Sequence, residues 1–495
     1  MTEKVIGDLL RQLDYTCICG SVEEKVTDVV YDSRKAEAGC VFIALTGAKY
    51  DAHEFIPQVL EKGVRVLVVE KEILAYEGVT VIRVENTRYA LALISAAFFD
   101  HPAEKLVMIG ITGTKGKTTT AFMTKAILEK AGYRTGIIGT IGAFYGDVKI
   151  ETKNTTPESY ELHRIFSQML AAGCTHVVME VSSQAFMTHR VAGITFHYGI
   201  FTNLSPDHIG EGEHKDFAEY LYYKSQIFKN SEIGIGNADD EHFTEVSRGN
   251  TCKKLYTFGC SEGADLRTEK ISCLREPGFI GIDCRMSGAY NMEVKIGCMG
   301  RFNAYNAMAA MLTASLLGIS AETVSEVMYT MAVRGRVEPV HISDHVQLLI
   351  DYAHNAVSAE SLLTTILEYK PKRLICVFGA GGNRSKLRRY DMGEIAGKYA
   401  DLSILTADNP RFEEVEDIIA DIKIGMEKSH GNYIEIPDRR EAIRYSIEHA
   451  EDGDIIALFG KGHEDYQEIK GVRYPFDERD VIADILAGRA SAESR

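Results

Sequence analysis

The stretch LVMIGITGTKGKTTTAFMTKAILEKAG, residues 106 to 132, constrains this chain more than any other. The apolar run from Leu106 to Ile111 reads as a buried strand, a glycine-rich turn follows, and helical spacing starts near Lys117. That order aims the free N–H groups of the turn and helix start at one point, where an anion is stabilised. Gly113 and Gly116 let the backbone approach closely. Lys117 brings a positive charge to the β and γ phosphates, and Thr118 offers a hydroxyl to Mg²⁺. The common loop G-x-x-x-x-G-K-[ST] needs glycine at 111; Ile111 stands there, with glycines at 110 and 113 instead. A glycine-rich turn with no ligand accounts for G-x-x-G alone. Strand, GKT and helix together point to a nucleotide.

The rest of the chain alternates short apolar strands with helices, an α/β pattern. With 495 residues, and roughly 150 per domain, about three domains are expected. Residues 1–86 carry VTDVVYDSR, GCVFIALTG, VRVLVVEK and VTVIRVEN as strands. Residues 87–333 hold the phosphate loop among KLVMIGIT, RTGIIGT, CTHVVMEV, YGIFTNL and IGIGNA, apolar enough for buried parallel strands. The segment from about 250 to 298 reads as a β-rich side sheet. VRGRVEPV reads as a hinge, and residues 334–495 then repeat the pattern in VQLLIDYAH, RLICVFGAGG, LSILTADNP and DIIALFGKG. Each of these strands ends in a polar or glycine-rich loop, where open α/β sheets bind ligands.

Composition narrows the function. A net charge of -16 opposes a nucleic-acid partner, so phosphates must be handled by local amides, single cations or metal ions. The longest helical apolar run, Tyr89 to Phe99, is shorter than the about 20 residues a membrane span needs. The start MTEKVIGDLLRQLDYTC carries charges through what would be a signal peptide's apolar region, so no export signal is expected, and the ten cysteines contain no C-x-x-C pair. Reduced thiols in a cytoplasmic, monomeric protein without membrane insertion are expected.

GITGTKGKTTT resembles the G-T-x-G-K-[ST] loop of the Mur ligases, ATP-dependent amide-forming enzymes of cell-wall precursor synthesis. Upstream, YDSRKAEAGCVFIALTGAKYDAHEFI looks like the uridine-nucleotide-binding segment of the member that adds the third stem-peptide residue. NTTPES, MEVSSQAFMTHRV, FTNLSPDH, YYKSQIF, GRFNAYN, DYAH, TADNPR and GKGHE follow in that family's order. The resemblance implies a small N-terminal α/β uridine-nucleotide domain, a central P-loop parallel-sheet ATPase domain and a C-terminal Rossmann-like α/β domain. It implies phosphorylation of a carboxylate by ATP, attack of an amine on the acyl phosphate, and loss of phosphate.

The same resemblance implies roles for single residues. Gly113, Thr114, Lys115, Gly116, Lys117, Thr118 and Thr119 would hold the ATP phosphates. Asn303 and Asn306, one helical turn apart, would reach adenine, and Arg336 and Asp351 beside the hinge would complete the nucleotide site. Thr118, Glu180, His208 and Lys224 would be magnesium ligands, Lys224 as a carbamate formed with CO₂, and Lys117, Glu180, His208 and Lys224 the catalytic set. Taken alone, Lys224 would be an exposed lysine, and the two asparagines helix-surface amides. Ser33, next to Arg34, would face the uridine diphosphate, while Thr155, Thr156, Ser182 and Arg190 would hold the linked dipeptide of UDP-N-acetylmuramoyl-L-alanyl-D-glutamate. Arg384, Asp408, Asn409, Arg411, Gly460 and Glu464 would receive the diamino acid. D-N-P-R with G-K-G-H-E implies meso-diaminopimelate, whose far end bears a carboxylate and an ammonium that a paired Arg and Glu can read.

Five departures from the family's pattern stand out, most of them near the metal, ATP and acceptor rather than the uridine end. Lys115 replaces the commonest asparagine and Gln184 a frequent histidine. The linker IGEGEHKDFAEYLYY is about two residues longer than the family's usual one, and DYAHNAVSAE and GGNRSKLRRYDMG are altered. A divergent paralogue taking L-lysine or another amine is therefore an alternative. A folylpolyglutamate-type ligase would lack the DSR…FIALTG…H segment, and a non-catalytic P-loop nucleotide-binding protein would need neither DNPR nor GKGHE.

Overall fold

A computed structural model describes residues 3–47, 50–210 and 212–493. The chain forms two compact units, Met1–Arg267 with Met308–Thr323, and Thr268–Ala307 with Val324–Arg495.

The first unit opens with a five-stranded sheet in the order Tyr15–Cys19, Thr80–Val84, Val66–Val69, Cys40–Ile43, Asp28–Val30. All pairs but the first are parallel. Runs such as VLVV and CVFI are buried on both faces, the condition that parallel pairing imposes. The apolar run expected to be a buried helix is Thr87–Phe98. Asn86 caps it by accepting the Tyr89 N–H at 2.9 Å, and Ala90, Leu91 and Ile94 pack on Val41, Val68 and Ile82.

In the central sheet Val107–Thr112 lies between His176–Glu180 and Phe196–Phe201, all parallel, with Thr135–Gly139 and Ser231–Asn237 outside them. Successive strands leave toward opposite sides, so the carboxyl end of Val107–Thr112 is a topological switch point. Gly110 sits inside this strand, where a Cβ would meet the Phe196 ring at 2.7 Å. The displaced glycine is thus required by packing. The β-rich 250–298 region forms Lys254–Gly259, Leu266–Glu276, Phe279–Gly288 and Met292–Ile296, the last two an antiparallel pair.

His163, on the helix Ser159–Ala171, is buried against Phe166, and neither ring nitrogen has a hydrogen-bond partner. Burial drops its pKa from 6.5 to about 3. The unfolded chain therefore takes up a proton below pH 6.5 that the folded one refuses, and stability falls as pH drops through that range. His163→Phe should unfold at a higher temperature than the parent at pH 5 and show a smaller difference at pH 8; parallel melting curves at both values would contradict this.

The second unit has a six-stranded sheet in the order Glu338–His341, Gln347–Asp351, Ile455–Phe459, Leu374–Phe378, Leu402–Leu405, Tyr433–Glu435, parallel except for its first pair. Cores lie on both faces, one around Leu363, Phe378 and Ile422, the other around Ile443, Ile456 and Ile482. The buried Arg439 clamps two strand ends: its guanidinium pairs with Glu478 and donates to the Ala407 carbonyl at 3.0 Å and the Phe459 carbonyl at 3.1 Å. Those ends lead into DNPR and GKGHE. None of the ten cysteines is in a disulfide, and no helix among the described residues is long and apolar enough to cross a membrane.

Candidate active site

The phosphate loop occupies the predicted place. Its helix is Lys117–Lys130, and Gly116 precedes it at φ +83°, a conformation that disfavours other residues. Gly113 is also at positive φ, and a Cβ there would overlap the Thr202 hydroxyl. The loop is braced by the segment after the neighbouring strand. Thr114 N–H donates to the Asn203 carbonyl and Lys115 N–H to Asn203 Oδ1, both at 2.9 Å. Asn203 Nδ2 and the Thr202 hydroxyl donate back to the Lys115 carbonyl at 3.0 and 2.7 Å. Lys117 Nζ folds over the turn, donating to the Gly113 and Thr114 carbonyls. The Lys115 side chain is exposed and Thr119 is buried in the first helical turn.

Glu180 ends its strand beside the loop and is buried. Its Oε1 accepts the Thr118 hydroxyl at 2.8 Å and the Thr140 N–H at 3.0 Å, and its Oε2 accepts the Thr140 hydroxyl at 3.2 Å. Gly139 leaves room for this carboxylate: a Cβ there would overlap Oε1. From Thr140 the contacts run to Thr155 Oγ1 at 3.1 Å. Thr156 donates to the Glu180 carbonyl and accepts the Ser182 N–H, both at 3.0 Å. Arg190 donates to the Thr156 carbonyl at 3.0 Å and pairs with Glu158 at 3.0 Å. The structure thus gathers Thr118, Glu180, Thr155, Thr156, Ser182 and Arg190 into one cluster, with Thr140 and Glu158 as members the sequence did not single out. A threonine ending the predicted strand RTGIIGT was the available signal for Thr140.

Ser33 lies apart from this cluster, opening a short 3₁₀ turn after the strand Asp28–Val30, with its carbonyl held by Lys62 at 2.7 Å. Arg34 is exposed and paired with Asp32 at 2.7 Å, which holds the Asp32 carboxyl down at about 2. Tyr31 and Tyr160 tie this sheet to the helix Ser159–Ala171 through Glu161 and Asp28, at 2.7 and 2.6 Å.

Lys224 corrects the exposed-lysine expectation: on the helix Phe217–Lys229 it is 2 % exposed. Its Nζ donates to the Gly113 carbonyl at 2.9 Å and stands 4.7 Å over the Tyr220 ring. Burial, then the nearby Lys117, pushes its pKa well below that of an ordinary lysine. Tyr220 in turn meets Thr114 Oγ1 at 3.1 Å, so this helix reaches the phosphate loop through two side chains. His208 is half-exposed at φ +52° and contacts Glu213 at 3.1 Å. The long linker closes on itself, His214 N–H donating to the His208 carbonyl at 3.1 Å and Gly210 N–H to the His214 carbonyl at 3.0 Å. His214 then anchors it to Ser183 at 2.8 Å, which absorbs the extra residues.

Among the described residues no three His, Cys, Asp or Glu side chains gather as a metal site. The expected set contributes only Glu180 and His208 of those types. A buried carboxylate hydrogen-bonded to a threonine hydroxyl nevertheless fits Mg²⁺, a hard cation that prefers oxygen donors.

In the second unit Asn303 and Asn306 are buried, which corrects their reading as surface amides. Asn306 donates to Asn303 Oδ1 and Asn303 to the Met299 carbonyl, both at 2.7 Å. Asp351 is also buried; its carboxylate accepts the Val337 and Ala353 N–H groups at 2.7 Å each, and burial raises its pKa against those donors. Arg336 lies 5.7 Å over the Tyr352 ring.

Of the residues expected to receive the diamino acid, Asp408, Asn409 and Arg411 follow Leu402–Leu405, Gly460 and Glu464 follow Ile455–Phe459, and Arg384 follows Leu374–Phe378. Asn409 donates to Glu464 Oε2 at 2.8 Å, and Asp408 lies beside Gly460, where a Cβ would come within 3.4 Å of it. Arg411, at φ +54°, pairs with Glu468 at 3.3 Å and donates to the Gly382 carbonyl at 2.8 Å. A Cβ on Gly381 would face both Arg411 and the exposed Arg384, at 3.5 and 3.7 Å, so the two arginines border one spot. The altered loop is fixed from below by buried Arg389, which holds Glu413 and Asp421 at 2.8 Å. Lys461, which the sequence reading did not single out, is buried among these residues.

Three segments match Mur ligase domains: residues 25–99 the Mur ligase family catalytic domain, 111–314 the Mur ligase middle domain, and 335–462 the Mur ligase glutamate ligase domain. The UDP-N-acetylmuramoyl-L-alanyl-D-glutamate--2,6-diaminopimelate ligase of Clostridium perfringens is 39% identical over 491 residues, covering 98% of this chain and 100% of its own length. The protein of that name from Caldanaerobacter subterraneus subsp. tengcongensis is 41% identical over 485 residues, covering 97% and 98%. A solved structure of a ligase of the same name aligns over 99% of this chain and 100% of its own, with a TM-score of 0.73 and 26% identity. With a phosphate loop, a buried carboxylate cluster and a Rossmann-like domain in the family's order, this chain belongs to the Mur ligase family.

Proposed function

We propose that this chain is an ATP-dependent ligase that adds meso-2,6-diaminopimelate to UDP-N-acetylmuramoyl-L-alanyl-D-glutamate through an acyl phosphate. One observation carries the chemistry: Glu180 is hydrogen-bonded both to Thr118 of the phosphate loop and to Thr140, which continues to Thr155. The transferring phosphate and the carboxylate that receives it would meet at that side. The loop amides and Lys117 hold the phosphates, and Arg190, fixed by Thr156 and Glu158, orients the acceptor carboxylate. Glu180, Thr118, His208 and Lys224 as a carbamate would hold Mg²⁺, which when bound supplies a Lewis acid for the transferred phosphoryl group. A depressed pKa favours the neutral amine, the form that adds to CO₂, and the carbamate would place an anion beside Lys117.

Asn303, Asn306, Arg336 and Asp351 would serve the nucleotide, and Ser33 the uridine diphosphate. The diaminopimelate assignment follows the names of the two relatives and the placement of Arg384 and Arg411 near Asn409 and Glu464. Functional domains would be residues 1–86, 87–333 and 334–495, in a cytoplasmic monomer whose charge of -16 disfavours nucleic acid.

The test supplies ATP, Mg²⁺ and the uridine substrate and measures phosphate release with meso-diaminopimelate, L-lysine or no amine. Release should depend on the uridine substrate and favour meso-diaminopimelate over lysine by about 10²-fold or more in kcat/KM. Equal or better use of lysine overturns the acceptor assignment; release that ignores the uridine substrate overturns the function.

A further inference from the structure

Lys461 lies at the centre of the acceptor cluster yet is fully buried, so its ammonium is not presented to solvent. Its Nζ lies 3.2 Å from Glu464 Oε2, 3.3 Å from Asn409 Oδ1 and 3.7 Å from Asp408 Oδ1, and 5.6 Å over the Tyr466 ring. Asn409 Nδ2 also donates to Glu464 Oε2, at 2.8 Å. Both bonds to Glu464 fall on the same oxygen, which leaves Oε1 for another donor. The Asp408 oxygen nearest Lys461 has no hydrogen-bond partner and is buried. One ammonium therefore serves the buried Asp408 carboxylate, the partly buried Glu464 carboxylate and one amide.

We propose that Lys461 is a positioning residue for the acceptor: it locks Asn409 and Glu464 into one unit that presents Glu464 Oε1 to the distal ammonium of a diamino acid. The inference rests on the acceptor reading above. A side chain at such a site has two tasks, to keep the Glu464 rotamer and to keep its charge. Burial raises the Glu464 pKa, the facing Asp408 carboxylate raises it further, and Lys461 with the Asn409 amide opposes both. Tyr352 and Tyr466, the other titratable groups facing it, have pKa values raised by burial and by Glu464 itself, and stay neutral near pH 7. Without Lys461 only the Asn409 amide opposes that upward push. Glu464 must be ionised to bind an ammonium, so the acid limb of amine use moves to higher pH.

The test is a double-mutant cycle on the full-length enzyme with meso-diaminopimelate. Lys461→Met should raise the KM for the amine about tenfold or more while the KM for ATP holds, and shift the acid limb of kcat/KM upward. In the Glu464→Gln background the same change should add less than about twofold, because its target carboxylate is gone. Lys461→Arg, which keeps a cation, should leave the limb in place and covers the case in which the methionine variant does not fold. A Lys461→Met effect that is as large without Glu464 as with it, or that raises both KM values with no shift of the limb, overturns the inference, as does a limb that moves in Lys461→Arg. If Glu464→Gln itself leaves the amine KM unchanged, the acceptor reading fails. If Glu464→Gln raises it and Lys461→Met does not, only the role of Lys461 fails.

Discussion

Replacing Lys224 with alanine is expected to lower amine-dependent phosphate release by about 10²–10³-fold, the loss typical of removing one electrostatic partner of a developing charge. The side chain is buried, donates to the Gly113 carbonyl and faces the Tyr220 ring. A carbamate there would be an anion on a long stem, and the alanine variant leaves space for a small carboxylate. Added formate or acetate should therefore restore part of the rate to Lys224→Ala but none to Lys224→Met, whose thioether fills the space. Full activity in Lys224→Ala would refute the metal-ligand role. Equal rescue of both variants would place the effect of the added anion elsewhere.

Glu180→Gln should cost a similar factor of about 10²–10³ in rate, with little change in melting temperature. The amide keeps the shape and still accepts from Thr118 or Thr140, but the charge that suits a metal ion is gone. Glu180→Ala should lose both activity and stability, because the buried Thr118 hydroxyl loses its acceptor, at about 1–3 kcal/mol, and the exposed Thr140 N–H and hydroxyl must turn to water. Comparing the two variants by thermal unfolding and phosphate release separates charge from support. A glutamine variant with wild-type rates would remove Glu180 from the mechanism.

What the sequence made legible follows from how local each interaction is. The phosphate loop uses backbone amides, glycine conformations and one contiguous strand–turn–helix, so its place and the helix start at Lys117 could be read directly. Buried strands such as VLVV and LICVF were equally plain, since parallel pairing demands apolar residues on both faces. The edge strand Tyr433–Glu435 and the hairpin of Tyr466–Ile469 with Val472–Pro475 escaped because they are short, partly exposed and polar. Burial of Lys224 was invisible for a different reason: it depends on a carbonyl 111 residues away. Lys461 likewise meets Asn409 across 52 residues, and Thr140 meets Glu180 across 40. The departures from the family's pattern also became intelligible. The long linker is closed by His214, and Lys115 contributes its backbone to the loop braces while its side chain faces solvent.

The contact between Gly110 and Phe196 has a further consequence for how such loops vary. A side chain at 110 requires a smaller ring at 196, and a smaller ring at 196 leaves a cavity that a side chain at 110 can fill. The two positions should therefore change as a pair in any library selected only for folding, even with no nucleotide present. A glycine that resembles a ligand-binding signature would then record the history of a core contact, and grafting this loop onto another sheet would succeed only if the neighbouring strand came with it.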